Sequence, residues 1–488
     1  MATAVHPASP LQNQKVKRFR GPGKKKNKKK KVEEGSAEHI LQLDVKRVLN
    51  GKTCDQVPYE RFQEIEVSIQ YLSSSGDGIG LVNDDSYAVV VPFTLPGDKV
   101  HAKLHFLTET YALADFLDVI EPSKERDNSL IRCKYFAKCG GCQYQMLEYS
   151  KQLEQKRNVI IKAFEYFSHL QPGQLCEIGP TESSPMEYNY RTKITPHFDV
   201  PRGGIPEGTD LVIGFQEKGR RRVFDIEECS IATKCINESM PSIFAATQAK
   251  KSEYKRGATI LLRDVFDENN EHKVETDHKA VVKEVFGKFT FKFPAGAFFQ
   301  NNNSILPKFT SFVHSQLFNS FGDEKFEAPK YLVDAYCGSG LFSITCSEGF
   351  QSVIGVEISS DSVAYAKTNA EANGIKNAEY LVGEAEKIFA KIETPAAETA
   401  MIIDPPRKGC DTAFLDQLLT YSPARVVYIS CNVHTQARDI SYILNHELGK
   451  DYKINDVRGF DLFPQSHHVE SVLVLLTWAI LDIHKMQK

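Results

Sequence analysis

No apolar stretch of this chain reaches the roughly 20 residues that a membrane-spanning helix requires. The mostly apolar run Val472–Leu481 is too short and reads as a core strand and its exit. The N-terminus has neither the apolar core of a secretory signal nor the Arg-rich amphipathic pattern of a mitochondrial presequence, so the expectation is a nuclear and/or cytoplasmic protein, not secreted and without a membrane partner. The glycine turn at Gly338-Ser339-Gly340 is too short for a nucleotide-triphosphate loop and lacks its Gly-Lys-Ser/Thr. No internal repeat is evident. Net positive charge is concentrated in one place. Lys15–Lys31 holds eleven Lys/Arg and no acid, and subtracting +11 from the whole-chain −3 leaves −14 for the remainder. Such a run reads as a disordered tail serving nuclear import, with nucleic-acid affinity as a second role. Eleven cysteines without a secretion signal point to a reducing compartment, where clustered thiols suggest metal binding or chemistry rather than disulfides.

What is present is concentrated in the C-terminal half. Ala400-Met401-Ile402-Ile403 and Val426-Val427-Tyr428-Ile429 are brief and apolar, as buried parallel strands are. The first runs into Asp404-Pro405-Pro406-Arg407 and the second into Ser430-Cys431-Asn432. Ligands of open α/β sheets bind beyond the carboxyl ends of strands, so an acid and a thiol are expected side by side at one cleft. Upstream, Val333-Asp334-Ala335-Tyr336-Cys337 leads into the glycine turn and a helix. Glycines there allow close backbone approach to a ligand. The next strand, Val353-Ile354-Gly355-Val356, ends in Glu357, well placed for ribose hydroxyls. A nucleoside without a polyphosphate, such as S-adenosylmethionine, suits this pattern better than NAD or ATP.

These residues resemble the RNA uracil-C5 methyltransferases, which make 5-methyluridine in tRNA and ribosomal RNA. The matching stretches run in order: Phe299-Gln300-Asn301-Asn302, Asp334 to Gly340, Asp404 to Gly409, Tyr428 to Asn432, and Phe463-Pro464-Gln465-Ser466-His467-His468-Val469-Glu470. The likeness extends from about Gln63 to the end, and is greatest to the eukaryotic tRNA enzymes that act on the T-loop uridine. It implies S-adenosylmethionine as cofactor, tRNA as partner with ribosomal RNA as the alternative substrate, and a monomer.

The resulting fold class is multidomain α/β. Residues 1–52 form the tail, although Glu38–Val48 has the makings of a short helix. Residues 60–122 carry short, evenly spaced strand patterns with turns at Gly76–Gly80 and Leu95–Asp98, as in a small barrel; the resemblance implies a TRAM module, an OB-like RNA-binding barrel. Residues 123–295 form an α+β central domain with an amphipathic helix at Glu148–Phe167 and β-rich sequence over Tyr188–Phe224. The triplet Arg220-Arg221-Arg222 is a candidate phosphate contact or simply an exposed turn. Residues 296–488 form a Rossmann-like S-adenosylmethionine-dependent methyltransferase domain. Within the central domain Cys133, Cys139 and Cys142 stand at C-x5-C-x2-C spacing. Thiolates suit zinc or an iron–sulfur cluster. The resemblance implies a structural 4Fe-4S cluster with Cys229 as the fourth ligand, ahead of the rival Cys235.

The implied chemistry is specific. Uracil C5 is a poor nucleophile until a thiolate adds at C6 and makes the ring an enolate. The resemblance assigns Cys431 as that nucleophile and Glu470 as the acceptor of the C5 proton, with Gln300, Tyr336, Glu357 and Asp404 around the cofactor and Arg407 bordering the cleft. Cys337, Cys346 and Cys410 take the ordinary reading of a buried inert thiol. His467 and His468 suit a structural or a substrate-contacting role equally. Two positions depart from the family: Leu341 replaces a polar residue after the glycine turn, and Glu384 stands where Asp or Asn often reaches the adenine. A cytosine-C5 enzyme would carry a second Cys where Pro406 or Arg407 stands, and an adenine amino-methyltransferase an aromatic at Arg407. A non-enzymatic RNA or tRNA-folding chaperone would need neither Cys431 nor an intact cofactor pocket.

Overall fold

Alternation along the apolar strands of the C-terminal half separates two cores. Val333, Ala335, Met401, Ile403, Val426 and Tyr428 enter one apolar cluster, while their neighbours Leu332, Ala400, Ile402, Val427 and Ile429 enter the other. Successive strand residues point to opposite faces, so both faces of this sheet are covered, as a parallel sheet requires. The computed structural model describes residues 32–477 apart from 207, 323–325, 384–388, 390 and 391. The basic run Lys15–Lys31, Glu384 and the end of Val472–Leu481 lie outside the described residues.

The sheet has seven strands in spatial order Ala378–Val382, Ser352–Glu357, Tyr331–Ala335, Thr399–Ile403, Arg425–Ser430, Glu470–Thr477 and Tyr452–Phe460. Numbered along the chain this is 3-2-1-4-5-7-6. The first five are mutually parallel and Glu470–Thr477 runs antiparallel to both its neighbours. Strand order reverses between Tyr331–Ala335 and Thr399–Ile403, which creates a crevice at their carboxyl ends. Helices Tyr149–Phe167, Thr412–Tyr421 and Val433–Asn445 cover one face; Leu306–Phe318 and Ser360–Ala372 cover the other.

The N-terminal barrel is a six-stranded sheet in order Glu64–Ser68, Lys99–Leu107, Tyr111–Glu121, Tyr87–Val91, Gly78–Val82, Tyr71–Leu72. Val67, Tyr87, Val89, Val91, Val100, Ala102, Leu104, Ala112 and Ala114 fill its interior. In the Leu95–Asp98 turn, buried Asp98 accepts from Leu95 N at 2.7 Å and from Arg126 Nη2 at 2.7 Å, fastening the turn to the chain leaving the barrel.

Structure begins earlier than a tail ending at residue 52 implies. Ala37–Leu49 is a helix, capped by Ser36, whose Oγ accepts from His39 N. Its Val45 and Leu49 pack on barrel residues Ile79, Ala88 and Val90. Ile40 and Leu43 reach the catalytic-side core. The physical reason is burial on two sides: a mildly amphipathic segment that is marginal alone is stabilised by tertiary packing.

The β pattern over Tyr188–Phe224 resolves into four short strands, Lys193–Ile194, His197–Phe198, Gly214–Gln216 and Val223–Asp225. Strands Val281–Phe286 and Phe289–Pro294 form a hairpin whose Phe291 and Phe293 belong to the same core as Leu332 and Val427. That core therefore crosses a boundary drawn at residue 295. Arg220 is ion-paired to barrel residue Asp115, whereas Arg221 and Arg222 are exposed.

Candidate active site

Register places the chemistry. Ala335 lies beside Val356 on one side and Ile403 on the other, so Tyr336 and Asp404, each just past a strand end, and Glu357, the last residue of its strand, lie along one edge. Ser430 pairs with Ser471. The next cross-strand positions are Cys431 and Glu470, and such neighbours sit with Cβ atoms roughly 5 Å apart. Because Glu470–Thr477 is antiparallel, its first residue reaches the edge where the parallel strands end. Cys431 is half-buried and Glu470 is 2% exposed.

Burial, with the nearby Glu470 and Asp404 carboxyls, pushes the Cys431 thiol up to about 12; Arg407 opposes them. Burial also raises the Glu470 carboxyl well above the usual range, Asp404 adding to it and Arg407 again opposing. Asp404 is held up at about 7, by burial and then by Asp334. Cys431, Glu470, Asp404 and Arg407 thus form one electrostatic group. Asn432 fixes the thiol's loop by donating from Nδ2 to Arg407 O at 2.9 Å while its Oδ1 caps the following helix.

At the crevice, Tyr336 has φ of 66°, left-handed backbone that only a constrained site tolerates in a bulky residue. Gly338 shares that region, with φ of 53°, and a Cβ added there would meet open space. Glu357 accepts from Gly338 N at 3.2 Å through Oε2 and from Ser359 N at 2.9 Å through Oε1. Each oxygen keeps a lone pair for a further donor. Asp334 is fully buried; Oδ2 accepts from Ser343 N at 2.8 Å and Oδ1 has no partner. Exposed Ile358 follows Glu357. Tyr336 packs against Phe414, ring centroids 5.4 Å apart. Cys337, Cys346 and Cys410 are buried. Gln300 is buried in a loop whose Asn302 donates to Leu462 O, and next to it Phe298 is 74% exposed.

The segment leading to Glu470 is held by residues that the motif matching did not single out. Lys156 is fully buried and donates to Asp461 Oδ1 at 2.7 Å, Phe463 O at 3.0 Å and His468 O at 2.6 Å. Gln465, at φ of 70°, accepts through its carbonyl from Gln143 N and through Oε1 from Gln152 Nε2. The signal in the sequence was two polar residues, Gln152 and Lys156, on the stripe of a helix that otherwise buries Val159, Ile160, Ala163 and Phe164. The His467 and His468 rings are in contact, centroids 4.1 Å apart and planes tilted by 37°. Burial lowers both imidazoles, His468 to about 4, so both are neutral at physiological pH.

Cys133, Cys139, Cys142 and Cys229 line one cavity of about 530 Å3, which extends to Arg407, Phe463, Ser466 and His468; Cys235 does not line it. Burial pushes the Cys139 thiol up to about 11 and raises Cys142 and Cys229 as well. Among the described residues, no three Cys, His, Asp or Glu side chains are arranged to hold a metal ion.

Residues 265–478 match the family described as tRNA (Uracil-5-)-methyltransferase, and residues 58–117 match the TRAM domain. The tRNA (uracil(54)-C(5))-methyltransferase of Schizosaccharomyces pombe is 65% identical over 451 residues, covering 92% of this chain and 85% of the relative. The protein of the same name from Saccharomyces cerevisiae is 39% identical, with coverage of 96% and 85%. The crystal structure of the Pyrococcus abyssi tRNA (uracil-54, C5)-methyltransferase in complex with S-adenosyl-L-homocysteine shares the fold, with TM-score 0.62 and 22% identity over 84% of this chain and 99% of that one.

Proposed function

Because the chain belongs to the tRNA (uracil-5-)-methyltransferase family, we propose that it methylates C5 of the T-loop uridine of tRNA, giving 5-methyluridine. The observation that carries this is the proximity of Cys431 to Glu470 and Asp404, with Cys431 and Glu470 each one residue beyond the Ser430–Ser471 pair at the cofactor crevice. S-adenosylmethionine supplies an electrophilic methyl group. Glu357 suits its ribose hydroxyls, and Ile358 offers apolar cover for its adenine. The open space over Gly338 admits the cofactor's backbone approach.

The Cys431 thiolate adds to C6 of the uracil, whose C5–C6 electron pair moves toward C5 and O4. C5 then takes the methyl group as the S–CH3 bond breaks, leaving S-adenosylhomocysteine. Glu470, ionised at that stage, removes the C5 proton. The C–H electron pair restores C5=C6, the C6–S bond breaks, and its pair returns to Cys431. The target base must leave its stack to expose C6, and Phe298, exposed beside Gln300, is suited to stack on an extruded base. His467 and His468, neutral and packed against each other, take the structural role.

The four cysteines are read as ligands of a 4Fe-4S cluster with a structural role. Supporting this is an all-thiol donor set that lines one cavity. Anaerobically purified protein is expected to be brown and to contain iron and sulfide; stoichiometric zinc without iron overturns that reading. The run Lys15–Lys31 is read as a nuclear-import and RNA-affinity segment. The function itself is tested by incubating the protein with methyl-labelled S-adenosylmethionine and a mixture of unmodified tRNA and ribosomal RNA, then mapping the label. Label confined to the T-loop uridine supports it; label in ribosomal RNA alone, or none, refutes it.

A further inference from the structure

Lys156 is the deepest cation of the central helix, and all three of its ammonium hydrogens have acceptors. Each acceptor belongs to the segment between strand Tyr452–Phe460 and Glu470. Asp461 and Phe463 stand at its start, and the His468 carbonyl stands two residues before Glu470. One side chain therefore draws the two ends of this segment together. Asp461 is further fixed by Tyr149 OH on Oδ2 at 3.0 Å and by Phe463 N on Oδ1 at 3.1 Å. On the other side, Glu470 enters the sheet opposite Phe460. Its backbone is thus set by the strand after it and by Lys156 before it.

We propose that Lys156 is a positioning residue for Glu470, one that holds the carboxyl at the C5 proton and so governs elimination rather than methyl transfer. The inference rests on Glu470 being the proton acceptor. It follows from where the acceptors lie: none is on the loops carrying Cys431, Asp404 or Glu357, so loosening this segment leaves the thiol and the cofactor edge in place while the base loses its register. Proton transfer demands hydrogen-bond distance, which a small displacement destroys.

The experiment follows single-turnover methylation of unmodified tRNA by the full chain, quantifying labelled methyl in released RNA and in covalent protein–RNA complex on denaturing gels. Lys156→Met is made together with Asp461→Asn, so that no buried charge is left alone. The expected result is methyl incorporation within about threefold of wild type, release of product slowed about tenfold or more, and a methylated covalent complex that wild type does not accumulate. Lys156→Arg keeps the charge but cannot aim three hydrogens at three convergent acceptors, and is expected to show the same partition to a smaller degree. Tyr149→Phe removes one Asp461 bond without touching Lys156 and is expected to behave as wild type. Incorporation and release falling together, or unslowed release in Lys156→Arg and the double variant alike, overturns the proposal. So does the same partition in Tyr149→Phe, which assigns the effect to general support of the segment. If the double variant does not fold, Lys156→Arg alone decides. Failure of the underlying reading shows separately, as Glu470→Gln releasing product normally without a covalent complex.

Discussion

The free enzyme is expected to keep Cys431 as a thiol, not a thiolate, throughout the physiological range. The thiol stands at about 12, raised by burial and by the Glu470 and Asp404 carboxyls, with Arg407 as the opposing cation. An ordinary cysteine near 8.5 is about 10% ionised at pH 7.5, whereas one near 12 is ionised in roughly three molecules in 10^5, a difference of about 3 × 10^3-fold. Iodoacetamide alkylation of Cys431, followed by peptide mass spectrometry without RNA between pH 6.5 and 9.5, measures this directly. Since partial burial lowers the absolute rate, the diagnostic is the slope. The rate is expected to rise about tenfold per pH unit with no plateau in that window. Arg407→Ala removes the cation that favours the thiolate, so alkylation slows further. A plateau near pH 8.5, or faster alkylation in Arg407→Ala, refutes the reasoning. Adduct formation with RNA containing 5-fluorouridine, whose C5 fluorine cannot leave as a proton, should then be faster than free-thiol alkylation implies. Ionisation would occur within the bound complex.

Glu470→Gln keeps size and hydrogen bonding but removes the proton acceptor; a methylated covalent protein–RNA complex is expected on ordinary tRNA, and denaturing gels with labelled cofactor detect it. Asp44 is buried and accepts from Ser74 N at 2.7 Å, Ser74 Oγ at 3.0 Å and Tyr166 OH at 2.9 Å, with Lys162 at 3.5 Å. Asp44→Ala is expected to lose about 3 kcal/mol in denaturant unfolding, the low end for breaking a buried pair because Lys162 keeps some solvent; a change under about 0.5 kcal/mol would mean that the N-terminal helix is not a structural strut. Burial raises Asp334 to about 7, Ser343 opposing and Glu357 adding. A carboxyl whose folded value is raised binds its proton more tightly in the folded state, so its contribution is full below about pH 4 and is lost as pH rises through 7, by up to about 1.4 kcal/mol per unit. Asp334→Asn is expected to flatten that decline in thermal melts between pH 5 and 8, and an unchanged slope argues that Asp334 is already ionised.

The catalytic sheet was legible because its strands are short, apolar and followed at once by residues that end them: Asp404-Pro405-Pro406, Ser430-Cys431-Asn432 and Tyr336-Cys337-Gly338. A strand buried on both faces announces itself by composition, and the fold rule then puts its final residues at the crevice. The N-terminal helix was only half legible. Ala37–Leu49 has the pattern of a helix, yet its stability comes from the barrel on one side and from Phe167 and the catalytic core on the other. Neither contact is local, and a neighbouring run of lysines makes such a segment look like the start of a tail. The shared core around residue 295 was illegible for a related reason. The hairpin Val281–Pro294 reads as central-domain β-structure, but its aromatic face is completed by Phe299, Phe309 and Phe342 beyond it.

The site separates into what chemistry demands and what holds it in place. Cys431 and Glu470 carry the residue types that the proposed reaction needs, a nucleophilic thiol and a proton acceptor, so motif matching finds them. Lys156 carries no chemistry, and a lysine among glutamates and glutamines in a helix normally reads as solvated. Its position said otherwise. Gln152, Lys156, Val159, Ile160, Ala163, Phe164 and Phe167 fall at three- and four-residue spacing along one buried stripe. A polar residue on such a stripe must find partners or carry a large desolvation cost. The stripe thus predicts that buried acceptors exist. It does not say where, because Asp461, Phe463 and His468 lie about three hundred residues downstream. Only the fold brings them to the helix. The same holds for Gln152 and Gln465, which exchange hydrogen bonds in both directions across that separation. The family motif Phe463–Glu470 is therefore more than a signature of the base at its end. Its backbone turns at Gln465, offers carbonyls to Lys156 and to Gln143 beside the cysteine loop, and delivers Glu470 opposite Cys431. Helix Tyr149–Phe167 and the seven-stranded sheet are joined at this segment, the contact through which Lys156 is proposed to act on one chemical step.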